Sequence, residues 1–444
     1  MDIIFRGGTI VTCDANDRVV VGDLVVRGPR IVEIGASLRS RSASPSPARV
    51  IDARGCAVMP GLVQAHVHLC QTLMRGMADD LPLLEWLRKR VWPLEAAHDE
   101  ASLTASAELG LLEMSLAGTT TILDMGTVRA HDAVMDACLR SGIRALSGKA
   151  MMDAGEGVPK GLRESTRESL AESERISAAW RGKGRGRIGY AYAPRFILSC
   201  SEKLVRGAVE RAKNDDAFVH THAAEHPKER AAVRAALGDD DVAVLKRWGV
   251  YGRRAILAHG VQLTTEQARE LARDGTAVVH CPSSNLKLGS GIARVAELDA
   301  LGVRIALGAD GAPCNNNMDP WTELRHAALL AKVRSGTSSL GAKRTLRLAT
   351  IDGARALDLD ANIGSLEVGK RADIAVVRLD GAHAEPGGDV FSKLVYACGA
   401  RDVRHVMVDG DLVVKNGEHQ RFDGERVTAA ARESARALLS RAKL

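Results

Sequence analysis

Four short stretches end in residues that could share one metal ion and move a proton beside it. His66-Val67-His68 follows the apolar and turn run Val58–Val63. At positions i and i+2 of a strand both imidazoles leave the same face, and at the strand's end both can reach one ion at about 2.0–2.1 Å. Alone, the pair reads equally well as two hydrogen-bonded histidines. Three other apolar runs end alike: Ala217–His222 (AFVHTH) in His222, with Glu225 three residues on; Ala255–His259 (AILAH) in His259; and Arg304–Asp310 (RIALGAD) in Asp310. Strands that end in turn in His, His-x-x-Glu, His and Asp point to water made nucleophilic by a divalent cation, with a carboxyl group carrying protons. His220 shares the strand face of His222, and spacing alone does not choose between them. His280 and Cys281 end a further candidate strand.

Residues so far apart need a scaffold that gathers strand ends. Between Cys56 and Leu357, short apolar runs alternate with longer amphipathic segments. Ala101–Ala117 has helical spacing and stops at Gly118, and the β-branched run Thr119–Met125 follows. Thr264 and Gln267 form a capping box for a helix ending near Gly275, before the strand Ala277–Cys281. Arg187–Ala193 is another candidate strand. So many βα units in some three hundred residues predict an α/β fold, a closed (β/α)8 TIM barrel rather than an open doubly wound sheet, and such barrels keep their sites at the carboxyl ends of the strands.

The flanks read differently. Ile3–Phe5, Thr9–Thr12, Asp23–Arg27, Arg30–Ile34 and Arg49–Asp52 read as strands, with Ser37–Pro47 (SLRSRSASPSP) an exposed irregular loop. Ile363–Gly369, Ala372–Arg378, His405–Val408 and Leu412–Lys415 repeat that language, with Asp409-Gly410 as a hairpin turn. We expect residues 1–57 and 361–423 to form one small composite β-sandwich domain, 58–360 the barrel, and 424–444 a closing helix.

Composition narrows the function. Of 444 residues, 45% are hydrophobic and 26% charged, a globular profile rather than a disordered one. A net charge of +6 on 61 basic and 55 acidic residues, with 3% aromatics, speaks against a nucleic-acid partner. The basic run Arg181–Arg187 (RGKGRGR) reads as a solvated loop. Eight scattered cysteines without a C-x-x-C pair predict a reduced, cytoplasmic protein. Neither a signal h-region nor an eighteen-residue apolar span appears, so no membrane association is expected.

The stretches Pro60–Glu95, His222–Glu225 (HAAE), His280–Gly291 (HCPSSNLKLGSG) and Leu307–Asn317 (LGADGAPCNNN) resemble the amidohydrolase superfamily. The resemblance is to its aminohydrolase branch, with the S-adenosylhomocysteine, methylthioadenosine and 5′-deoxyadenosine deaminases, guanine deaminase and the s-triazine hydrolases. It implies one divalent metal ion, zinc or alternatively iron(II), on His66, His68, His222 and Asp310. It also implies Glu225 as general acid/base, His259 orienting and polarising the attacking water, His220 behind the site, and His280 and Cys281 as wall. A homodimer or homotetramer is usual for the family.

The implied substrate is a small heterocycle, foremost the adenine of a 5′-modified adenosine. Trp86, eighteen residues after His68, and Glu95, nine further, sit where the adenosine deaminases of the branch wall the nucleoside and accept ribose hydroxyls. Lys149 and Arg163 fall where those enzymes place cations toward the sugar and its 5′ group. Gln71 and Arg195 (in Pro194-Arg195-Phe196) instead resemble the base-reading elements of guanine deaminase. Guanine, another oxopurine or a pterin is therefore the second reading and triazine hydrolysis a third. Retention of every ligand and of Glu225 argues against a non-catalytic barrel. The H-x-E with downstream P-C-x-x-C of nucleic-acid deaminases is absent.

Overall fold

The computed structural model describes residues 2–36 and 48–444, so the loop predicted at Ser37–Pro47 lies outside the described residues. The chain opens with β1 (Asp2–Val11), β2 (Val19–Arg27), β3 (Arg30–Gly35), β4 (Arg49–Asp52) and β5 (Cys56–Pro60). It turns at Gly61 into the barrel: β6 (Leu62–Val67), β7 (Thr119–Met125), β8 (Arg144–Gly148), the two-residue β9 (Ala150–Met151), β10 (Ile188–Pro194), β11 (Phe218–Ala223), β12 (Ala255–His259), β13 (Ala277–His280) and β14 (Arg304–Leu307). It then returns to the first sheet with β15 (Ile374–Arg378), β16 (Val403–Val408), β17 (Asp411–Lys415) and β18 (Glu418–His419), and ends in the helix Gly424–Ala442.

The barrel strands run parallel in the order β6-β7-β8-β10-β11-β12-β13-β14. An Asp310 N–H to His66 carbonyl bond of 3.1 Å and a Val67–Asp310 bridge bring the last strand back to the first. That closure needs Gly308, because a Cβ there would stand 2.5 Å from the His66 carbonyl oxygen. Val63, Leu123, Leu146, Phe218, Ile256 and Val279 fill the interior, so the barrel is a packed core rather than a pore. β6 is buried along its whole length, and its pairing with β7 shifts register at Gln64/Val67. Such an irregularity re-aims side chains. Here Val63 and Ala65 stay in the core while His66 and His68 turn to the barrel mouth.

The second sheet takes strands from both ends of the chain, in the order β18-β17-β16-β15-β5-β1-β2-β3 with β4 on β1. It is mostly antiparallel and curls over one apolar core of Phe5, Leu24, Ile31, Val58, Val376 and Met407. The curl is fastened where Ala372 N–H donates to the Pro29 carbonyl at 2.9 Å.

Several local expectations change. Ile363–Gly369 is not a strand: Gly364 (φ +86°) and Gly369 (φ +93°) turn the backbone, and Leu366 N–H caps the Thr12 carbonyl at 2.8 Å. Arg144–Gly148, whose small residues carry little strand signal, is a full barrel strand. The strand expected to reach Asp310 stops at Leu307. The Arg181–Arg187 run holds a helical turn, Lys183–Gly186, with left-handed Gly184 and Arg185, and Arg185 is paired with Asp411. Among the described residues no helix is long and apolar enough to cross a membrane.

Candidate active site

His66, His68, His222, Glu225, His259 and Asp310 meet at the carboxyl end of the barrel, all but His222 buried and His222 partly so. One ligand atom each from His66, His222, His259 and Asp310 lie within 4.8 Å of one another. His68 Nε2 joins them, 3.2 Å from His222 Nε2 and 3.3 Å from Asp310 Oδ1, and His66 Nε2 is 3.2 Å from the same oxygen.

The hydrogen bonds behind these rings set their protonation. His68 Nδ1 contacts the Met125 carbonyl at 2.7 Å and His222 Nδ1 the Arg195 carbonyl at 2.6 Å. A carbonyl only accepts, so each Nδ1 carries the hydrogen and each Nε2 presents a bare lone pair. Two lone pairs facing each other across 3.2 Å beside a carboxylate repel unless a cation sits among them. His66 Nε2 and His259 Nε2 are likewise buried without a hydrogen-bond partner. These imidazoles and the Asp310 carboxylate form a cluster that could hold a metal ion. His220 lies behind it, its Nε2 2.9 Å from His66 Nδ1.

Burial pushes His66 and His222 down and His68 to about 3, so the rings stay neutral, the form that can bind a metal. Burial would raise Asp310, but the imidazoles of His66, His259 and His68 crowded around it hold it well below the usual carboxylate range. Glu225 goes the other way: burial and the Asp310 charge push its carboxyl well above that range. Its Oε2 is 3.5 Å from His259 Nε2. Two carboxyl groups at one site are thus pushed in opposite directions.

Three of these positions depend on left-handed backbone at non-glycine residues: Ala224 (φ +52°), His259 (φ +78°) and Asp310 (φ +63°). Residues in this region are strained and persist only where surrounding bonds fix them. Two fixing groups were not singled out from the sequence. Ser284 Oγ donates to Asp310 Oδ2 at 2.6 Å, and Asn285 Oδ1 stands 3.0 Å from His259 Nδ1. Both follow β13 in the stretch HCPSSNLKLGSG, where a Ser-Ser-Asn run after a strand was the available signal.

Above the polar floor lies a cavity that opens to solvent. Trp86, Leu83, Leu87, Phe196 and Leu288 give it apolar walls, and Gln71 and Arg195 line it as well. Glu95 is not in the lining. Its carboxylate is buried beneath, paired with both terminal nitrogens of Arg195, Nη2 at 3.1 Å, and accepting from Gln71 Nε2 at 2.7 Å. Gln71 Oε1 is left buried without a partner.

Lys149 and Arg163 stand apart from the cavity. Lys149 is fully buried with Nζ 2.5 Å from Glu164, its charge held inside the protein, and exposed Arg163 reaches back to the Asp153 carbonyl at 3.3 Å. Neither is among the residues that line the cavity, whereas the family resemblance placed both toward the sugar and its 5′ group. His280 is buried behind the site, its carbonyl taking the Gly308 N–H.

With the geometry in place, comparison with known proteins sets its context. A family model described as "Amidohydrolase family" matches residues 57–413. A 5-methylthioadenosine/S-adenosylhomocysteine deaminase of Halobacterium salinarum is 36% identical over 437 residues, 98% of this chain and 95% of the relative. A 5′-deoxyadenosine deaminase of Methanosarcina acetivorans is 37% identical, with 99% of each chain covered. Among solved structures, an adenosine deaminase from Xanthomonas campestris with bound zinc superposes with a TM-score of 0.92, at 33% identity and 99% coverage of both chains.

Proposed function

This chain belongs to the amidohydrolase family, and from that premise we propose that it hydrolytically deaminates the adenine ring of a 5′-modified adenosine, releasing ammonia. The observation that carries the reading is the pair of opposed Nε2 lone pairs on His68 and His222, sharing Asp310 with His66 under a cavity that Glu225 and His259 enter.

In this reading His66, His68, His222 and Asp310 hold the ion, and zinc is the ion we propose. When bound, it supplies Lewis-acid activation that brings the pKa of a water toward neutrality. Asp310 is the local base, its Oδ2 held by Ser284. His259, its ring fixed through Asn285, turns Nε2 toward the attacking oxygen. Glu225 enters the reaction protonated and gives that proton to the ring nitrogen beside the carbon under attack, so charge collects on nitrogen as aromaticity is lost. Asp310 then passes the proton it took from the water to the amino group, which leaves as ammonia while the hydroxyl proton goes to Glu225 and the carbon–oxygen double bond forms. Trp86, Phe196 and Leu288 keep a flat ring dry.

The names of the relatives support a 5′-modified adenosine, and the cavity bears on its 5′ group. Among the described residues that line it, Arg195 is the one Lys or Arg, and Glu95 already takes its charge. That supports an uncharged substituent, 5′-deoxy or methylthio, over a homocysteine carboxylate. With Glu95 covered, ribose contacts fall to Gln71 and Arg195. The same two groups favour a second reading, an oxopurine base, through the unpartnered Gln71 Oε1 and the remaining Arg195 N–H donors. We further take the enzyme to be cytoplasmic and a homodimer or homotetramer. Ammonia release from 5′-deoxyadenosine, methylthioadenosine, S-adenosylhomocysteine and guanine separates the readings. The first two should turn over fastest, and guanine outpacing every nucleoside would replace the first reading by the second.

A further inference from the structure

We infer that Asp241, outside the cavity, is the positioning residue that aims Glu225, by holding the left-handed peptide at Ala224. The inference rests on the acid role proposed for Glu225. β11 delivers His222 to the ion site and ends at Ala223, and Glu225 must turn back within two residues to face His259. Ala224 makes that turn with φ +52°, a conformation that an alanine does not hold unaided.

The bonds that hold it come from two neighbouring segments. Ala224 N–H donates to Asp241 Oδ2, at the start of the helix Asp241–Arg247. Its carbonyl accepts Gln262 N–H at 2.8 Å, and the Ala223 carbonyl accepts Gly260 N–H at 3.1 Å, both from the loop after β12. Asp241 is itself buried, beside a guanidinium. Arg230 Nε lies 3.5 Å from its Oδ1, and the same guanidinium reaches Asp240 at 2.8 Å and the Gln262 carbonyl. Gln267 closes the ring, donating to Asp240 Oδ1 at 2.7 Å and standing 3.3 Å from Arg230 Nη2. Asp241, Arg230 and the β12 loop therefore form a clamp on one strained peptide next to the proposed acid, though none of them lines the cavity.

A double-mutant cycle in the metal-loaded enzyme tests this, reading kcat, KM and bound zinc for ammonia release from 5′-deoxyadenosine. Asp241→Ala should lower kcat 10- to 100-fold with KM within twofold and zinc content unchanged, and Asp241→Asn, which keeps an acceptor for the Ala224 N–H, should recover most of that loss. Glycine takes positive φ freely, so Ala224→Gly combined with Asp241→Ala should work within threefold of Ala224→Gly alone. This comparison stands even if Asp241→Ala alone does not fold. A double variant below a tenth of the Ala224→Gly kcat, or an Asp241→Ala enzyme within twofold of the parent, overturns the proposal. Glu225→Gln is the control. If it is inactive while Asp241→Ala is fully active, only the positioning role falls; if Glu225→Gln keeps full turnover, the acid reading falls and takes this inference with it.

Discussion

Arg195→Met should destabilise the protein by about 3 kcal/mol at neutral pH, and adding Glu95→Gln should restore most of that loss. The Arg195–Glu95 pair is buried on both sides, with side chains 5% and 3% exposed. Opposite charges about 3 Å apart attract by roughly 5 kcal/mol at an effective dielectric near 20. Removing one partner of a buried pair typically costs about 3–5 kcal/mol, because the other charge is stranded. The Gln71 bond to Glu95 survives the change and places the loss at the lower end. At about 2.1 cal/mol/K per residue, unfolding 444 residues carries an entropy near 0.9 kcal/mol/K, so about 3 kcal/mol lowers Tm by about 3 °C. The double variant buries two neutral groups and should sit within about 1 °C of the parent. Thermal melts of the parent, both singles and the double at equal zinc loading give the answer. A double variant as unstable as the sum of the singles would refute the argument, because the two groups would then not be acting on each other.

Glu225→Gln should keep its ion and lose about 10²- to 10⁴-fold in kcat, the usual range for a positioned acid/base; turnover within threefold of the parent would remove that role. Dialysis against a chelator should abolish activity and lower Tm, and zinc should restore both, with about 4 kcal/mol regained at a free zinc concentration a thousandfold above Kd. An ion-free preparation with full turnover would end the metal reading. Burial lifts the Asp124 carboxyl from 3.8 to about 7, against the bonds from Leu69 N–H and Ser147 Oγ. The folded chain thus keeps a proton that the unfolded chain releases near pH 4, and this contribution to stability is present below pH 4 and lost as pH rises through about 7. Asp124→Asn, whose amide oxygen can still accept the Leu69 N–H, should therefore gain on the parent between pH 5 and pH 8; parallel stability–pH curves would count against a protonated Asp124.

The barrel and the residues that gather at its mouth were legible because each signal is local: an apolar strand, then a polar residue at its end. His66 and His68 advertise themselves two apart, and Glu225 three beyond His222. Long-range pairing was not legible. Nothing near Glu95 announces Arg195, a hundred positions away, so the carboxylate that the family resemblance placed toward ribose is paired with a guanidinium. Lys149 shows the same limit: position along β8 places its backbone, but Glu164 decides where the ammonium goes. Ala224 and Asp241 were silent for another reason, since a left-handed alanine leaves no mark in composition and its partner comes from the second helix along, Asp241–Arg247.

The sheet shared by the two ends of the chain also sets a timetable for synthesis. β5 lies beside β15, so the opening strands leave the ribosome long before the neighbours that complete their sheet exist. At about 5–20 residues per second that wait is on the order of tens of seconds. During it the barrel can assemble stepwise, each strand beside its predecessor, while the edge of β5 that will meet β15 stays open to a chaperone or a second nascent chain.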